Sequence, residues 1–182
     1  FPDNVYFADM HIHSNLSPDA GLLGTSLTAA DVYRAARGET VTSNTGQPFQ
    51  LIRPLDFLVL TDHAEAMGLA PMVRESNPVL LSSKRGREVW QAFTAGREQA
   101  MEAFGSLLAD VSAGVNPFAD IDMAGSIWPE FVKLADTYNQ PGVFTAMTGF
   151  EWTSQPGGNN LHRIVVFADG ADKTSRVQPF SM

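Results

Sequence analysis

Along the chain, hydrophobic and polar positions alternate between strand-like and helix-like periods. Near the N-terminus a short apolar run, Val5-Tyr6-Phe7-Ala8, ends in Asp9-Met10-His11-Ile12-His13 and predicts a β-strand. Asp56-Phe57-Leu58-Val59-Leu60-Thr61 is almost continuously apolar, the pattern of a strand buried on both faces in a parallel sheet. It runs into Asp62-His63-Ala64-Glu65. Val143 to Phe150 predicts a third strand, ending in Glu151-Trp152, and Leu161 to Phe167 a fourth, after a Gly-rich turn from Gln155 to Asn160. Ser14 to Gly24 reads as a polar loop, and Val41 to Arg53 as a small hairpin insertion around Asn44-Thr45-Gly46.

Between the strands the period is helical. Thr28 and Asp31 form a variant capping box opening a helix from about Ala29 to Arg37, with Gly38 as its stop. Ala66 to Asn77 reads as a short helix and loop. Val89, Trp90, Phe93, Met101, Phe104, Leu107 and Leu108 recur at helical spacing. They predict one long helix from about Lys84 to Asp110, capped by Ser83 and weakened by Gly96 and Gly105. A last helix is expected over Ile127 to Tyr138, with Pro129 in its first turn. The tail from Ala168 to Met182 has no strong pattern. Strands alternating with helices predict an α/β architecture with a largely parallel sheet. Four strands with three or four helices make half a barrel or a small open sheet, in one domain over residues 1–182.

The bulk composition agrees with this and excludes several functions. The chain has 182 residues, 44% of them hydrophobic and 18% charged, enough for one domain with a real core. It contains no apolar run long enough to span a membrane. A formal net charge of -8 argues against nucleic acid as a partner, because backbone binding needs clustered Lys and Arg. Cysteine is absent, which removes disulfides, thiolate metal sites and a Cys nucleophile together. Any metal must then be held by His and carboxylates, which suits zinc, manganese or iron. The chain opens on Phe1 rather than Met, as a processed product or an excerpt does. A removed secretory signal, and with it a periplasmic or secreted location, is one explanation.

The chemistry-bearing residues fall at strand ends. There are four histidines: His11 and His13 at the end of the first strand, His63 just after the second, and His162 early in the fourth. Glu151 closes the third. Polar groups at the C-terminal ends of successive parallel strands converge on one site, which points to a shared metal site. A period of two places Asp9, His11 and His13 on one side and Met10 and Ile12 on the other. Each piece alone has a plainer explanation. His11 and His13 fit the wet face of a strand, and Asp62 the cap of a following helix. Glu151 fits the first solvated residue after a strand, His162 a packed histidine bonded to a carbonyl, and Asp19 a turn residue. Asp9 suits a partner that holds a histidine tautomer better than a ligand.

Asp9-x-His11-x-His13-Ser14 with Ser17-x-Asp19 resembles the first motif of the PHP (polymerase and histidinol phosphatase) superfamily, and Asp56 through Thr61-Asp62-His63 resembles its second. Gly149-Phe150-Glu151-Trp152-Thr153-Ser154, with Gly157 through Leu161-His162-Arg163, is similar to the PHP-like branch classed as domain of unknown function 3604. The resemblance runs from Asp9 to about Phe180. It implies a distorted seven-stranded (β/α) barrel of the PHP type, truncated here, with the segment from Met67 to Asn139 as a helical insertion and two or three divalent metal ions. It matches His11 and His13 to the pair on the first metal, Asp19 to a ligand of a further metal, and His63 to the histidine of the second motif. Glu151 matches a carboxylate bridging two metals, and His162 a later histidine, at short spacing from Glu151. A further His and a final Asp-x-His of the family pattern have no counterpart, since no His follows His162. The chain is therefore expected to be the N-terminal part of such a domain.

These readings lead to a metal-dependent hydrolase, a phosphoesterase acting on a small anionic substrate with a metal-activated water. Asp62 or Asp9 would orient imidazoles or accept a proton. Arg163 would contact an anionic group, although strand alternation turns it away from His162. An amidohydrolase-type amide or lactone hydrolase also opens with His-x-His, and a non-catalytic metal- or ligand-binding module is the third reading. No Gly-x-Ser-x-Gly elbow and no Gly-x-x-x-x-Gly-Lys loop is present. Exposed sheet edges on half a barrel would favour self-association into a homo-oligomer.

Overall fold

In the computed structural model, residues 3–181 are described; Phe1, Pro2 and Met182, the ends of the expected domain, lie outside them. β1 (Ala8–Ile12) is followed by α1 (Pro18–Leu22), α2 (Ala29–Ala36), β2 (Val41–Thr42), β3 (Pro48–Phe49) and β4 (Phe57–Leu60). Next come α3 (Leu69–Arg74), α4 (Pro78–Ser82), α5 (Lys84–Ala95), α6 (Arg97–Ser112) and α7 (Met123–Tyr138). β5 (Thr145–Ser154), β6 (Leu161–Val166) and α8 (Ala171–Thr174) complete the fold. The main sheet has the order β1-β4-β5-β6 and curls into a half-barrel; β2 and β3 form the separate hairpin expected between Val41 and Arg53.

β1, β4 and β5 are parallel, as their apolar runs predict. β6 is not. It returns antiparallel to β5, with Thr153 opposite His162 and Gly149 opposite Val166. A hairpin brings the start of β6 to the same end of the sheet as the end of β5. His162 therefore reaches the site although it follows Thr153 by only 9 positions along the chain. Its short spacing from Glu151 is the length of a hairpin, not of a crossover.

Two strand boundaries move. β1 starts at Ala8 rather than Val5, so His11 lies inside it. β5 runs beyond Phe150, to Ser154, so Glu151 sits within the strand and not after it. Within β1 the register passes from Asp9 opposite Leu58 to Ile12 opposite Leu60, so one extra residue bulges from β1. The bulge breaks the period of two. Asp9 does not share the face of His11 and His13 as the alternation predicts; it lies beside the core-facing Leu58, and its Oδ1 accepts the His11 backbone N–H at 2.9 Å.

The helical readings hold with sharper limits. Thr28 and Asp31 make a full reciprocal capping box on α2. The long helix expected from Lys84 to Asp110 is two helices. Gly96, at φ +146, breaks it where a residue with a Cβ would be strained, whereas Gly105 is carried inside α6. α7 begins at Met123, capped by Asp122 accepting from the Gly125 N–H, so Pro129 lies in the second turn rather than the first. Part of the polar loop from Ser14 to Gly24 is the short helix α1.

The main core lies on one face of the sheet. Val32 and Tyr33 of α2 and Trp128, Phe131 and Val132 of α7 pack on Leu58, Leu60, Ala146 and Phe150. A second core, formed by Leu69, Met72, Leu80, Val89, Leu107 and Phe118, builds the insertion of α3 to α6. The other face of the sheet is left for the site. There Gly149 is required: a Cβ would lie 2.6 Å from Val59 Cγ1 and 2.7 Å from the Val165 carbonyl oxygen.

Candidate metal centre

Glu151 is held from its backbone outward. Its N–H donates to the Asp62 carbonyl at 3.0 Å, and its carbonyl accepts the Ala64 N–H at 2.9 Å. These bonds set it beside His63 at the point where β4 ends. Its side chain is 1% exposed and lies among four imidazoles. Glu151 Oε2 is 2.7 Å from His13 Nε2, 2.9 Å from His11 Nε2 and 3.8 Å from His63 Nε2; Oε1 is 2.5 Å from His162 Nδ1. Asp19, brought in by α1, completes the ring. Its Oδ1 is 3.4 Å from His13 Nδ1 and its Oδ2 3.6 Å from His63 Nε2.

All six residues that the sequence offers as ligands thus converge. They form three overlapping groups: His11, His13 and Glu151; His13, Asp19 and His63; His63, Glu151 and His162. Within each group the ligand atoms lie within 4.8 Å of one another. The donor set is imidazole nitrogen and carboxylate oxygen, as zinc, manganese or iron requires. A buried carboxylate set among imidazole nitrogens is the donor chemistry of a divalent-metal site, so these residues fit such an ion.

Asp62 and Arg163 are placed differently. Asp62 is wholly buried, and both its oxygens are taken. Oδ1 accepts from Ser14 N at 2.7 Å, Ser17 N at 3.1 Å and Ser17 Oγ at 2.8 Å; Oδ2 accepts from Ser14 Oγ at 2.7 Å. Asp62 acts on the site through the segment that carries His13 and Asp19. Arg163 pairs across the hairpin with Trp152, on the face opposite His162.

Two contributors have no motif of their own. Thr153 Oγ1 lies 3.1 Å from Nδ1 of both His63 and His162, fixing the two rings. Glu65 accepts the Thr153 N–H at 3.3 Å and sits 3.8 Å from His63 Nδ1. The available signal is parity: Glu65 is two residues from His63, and Thr153 two from Glu151.

The cluster's charges reinforce one another. Burial alone would lower His63, but hydrogen bonds to Asp19 and Glu65 and the charge of Glu151 outweigh it and push the imidazole up to about 10. His13 is raised in the same way, its burial overcome by Asp19 and Glu151. Burial would raise Asp19 and Glu151, yet the imidazoles hold both below the ordinary carboxylate range. The raised His63 contributes stability that is complete below about pH 6.5 and is lost as pH rises through about 10. The lowered Asp19 contributes stability that is present above about pH 4 and is lost as pH falls below it. Chelator-treated protein is therefore expected to have its highest Tm between these limits and to lose stability toward pH 10. Metal affinity should rise with pH over the same alkaline span, because bound protons must leave His13 and His63. Calorimetry in buffers of different ionisation enthalpy reads that proton release directly.

The family model described as protein of unknown function (DUF3604) matches residues 1–182. No curated protein and no solved structure matches the chain.

Proposed function

Since the chain belongs to the DUF3604 family, whose description names no activity, we propose a function from its own side chains: a metal-dependent hydrolase of phosphoesters. The fuller likeness, to a PHP-type seven-stranded barrel with two or three ions, is part of the same proposal. The observation that carries it is the convergence of His11, His13, His63, His162, Asp19 and Glu151 on one face of the sheet.

Bound zinc, manganese or iron supplies a water of lowered pKa and charge neutralisation for substrate oxygens. Everything else is the work of the chain. His11 and His13 present Nε2 toward Glu151 Oε2, and His63 presents Nε2 because Thr153 and Glu65 engage its Nδ1. Asp19 closes the side toward α1. Asp62 fastens Ser14 and Ser17, so that His13 and Asp19 keep their places. The reaction adds water across one P–O ester bond: hydroxyl goes to phosphorus, and a proton to the departing alcohol oxygen.

One observation favours a second reading. Among the described residues, neither Lys nor Arg lines the cavity beside the cluster, so an uncharged amide or lactone is also admitted. A substrate panel of phosphoesters, amides and lactones decides between them. Phosphoester turnover is expected, abolished by chelator and restored by manganese or zinc; activity that survives complete metal removal contradicts the proposal.

A further inference from the structure

A cavity of about 400 Å³ opens directly beside the metal cluster, within the range of small-molecule sites. One side is the cluster itself: Asp19, His63, His162, Thr153 and Glu65. The other side is apolar, made by Phe104, Leu107, Leu108 and Val111 of α6 with Val115 and Phe118 beyond it. The four α6 residues stand at i, i+3, i+4 and i+7, a single helix face. Such a stripe ordinarily closes onto a core, and Leu107 does so. Leu108, however, is 45% exposed, and Val115 52%. The face is held toward the site from both sides. Arg85 of α5 donates to Ser106 and Asp110 of α6 at 2.7 Å each, and Ser112 bonds Gln155, in the turn after β5, at 3.2 Å.

We propose that this cavity is the leaving-group subsite of the metal centre, and that the substrate is a phosphomonoester of an apolar alcohol of aromatic size. The proposal rests on the phosphoester reading above. Charge supports it. With Glu65 in its wall and no Lys or Arg among the described residues there, the cavity offers no cation beyond the metal site to a second anionic group, so the substrate's only charge is on the phosphoryl end. Polyphosphates, sugar phosphates with carboxylates and nucleotides are disfavoured. The continuous apolar wall then takes the part of the substrate that leaves as the alcohol, as burial of apolar surface favours.

The test is titration calorimetry of the metal-loaded full chain with three probes: methylphosphonate, 2-naphthylmethylphosphonate and 2-naphthylmethanol. The naphthyl phosphonate is expected to bind at least about tenfold tighter than methylphosphonate. The double variant Leu108→Gln/Val115→Gln, at two half-exposed positions, is expected to reduce that ratio to about twofold while leaving methylphosphonate binding unchanged. Equal binding of the two phosphonates by the unsubstituted protein overturns the subsite and leaves the metal-site reading standing. Rejection of both phosphonates with retention of 2-naphthylmethanol overturns the phosphoester reading and keeps the apolar subsite. Rejection of all three overturns both.

Discussion

Glu151→Gln is expected to lose metal affinity by about a hundredfold or more, a larger loss than removal of a residue that merely orients a ligand. The reason is geometric and electrostatic at once. Glutamine keeps the size of the side chain but replaces an anion, whose two oxygens face His11, His13 and His162, with one acceptor and one donor. A neutral amide is a poorer ligand for a cation than a carboxylate, and its NH2 would face an imidazole nitrogen. Removing the charge also removes one of the interactions that raises His63, so the variant's metal-free stability should lose part of its dependence on alkaline pH. Competition against a chromophoric chelator measures the affinity, and circular dichroism confirms the fold. An affinity within about threefold of the unsubstituted chain would mean that Glu151 is a structural acid among histidines.

Asp62→Ala is expected to destabilise the chain by about 3 kcal/mol or more, at ~1–3 kcal/mol for each buried donor left unpaired, a large part of the ~5–15 kcal/mol that holds a typical domain. Four donors on Ser14 and Ser17 converge on this one buried carboxylate. Ser17 Oγ in turn accepts the His63 N–H at 2.9 Å. The network thus ties the end of β1, the start of α1 and the end of β4 together. Burial pushes the Asp62 carboxyl up, against the pull of the Ser14 and Ser17 donors, so the group depends on those bonds. Alanine leaves the donors buried without an acceptor, each at a cost of its own. Asp62→Asn keeps one acceptor oxygen and should lose about half as much. Urea denaturation with unchanged m value reads both. Equal stability of all three proteins would show that the network forms no part of the folding energy.

The site is more legible in the sequence than the fold that builds it. Histidines at strand ends announce themselves, because so few residue types serve at a metal and the chain has only four imidazoles. Glu151 is legible for the same reason, although its strand runs past it. What escapes is whatever depends on pairing. The bulge in β1 cannot be read from β1 alone, since it exists only in register with β4; it removes Asp9 from the histidine face. The antiparallel return of β6 has no signal in the composition of the turn from Gln155 to Asn160; only its length, too short for a parallel crossover, carries one. Arg163 follows strand alternation and lies opposite Trp152. Glu65 carries no signal beyond its spacing, and Thr153 none beyond its place in the Gly149 to Ser154 stretch, because threonine and glutamate are common on any surface. The break at Gly96 is visible as a weak point, yet Gly105 carries the same signal and lies inside an unbroken helix. The difference is in the backbone: Gly96 takes φ +146, whereas Gly105 is not among the glycines of positive φ, and nothing lies within 4 Å of where its Cβ would stand.

The most direct test is an anomalous difference map at the manganese or zinc edge, from crystals of the protein grown with that ion. The prediction is more than one peak within coordination distance of Glu151, each also touching at least two of His11, His13, Asp19, His63 and His162. A map with no peak beside Glu151, under conditions where the ion is in excess, would contradict the metal centre itself.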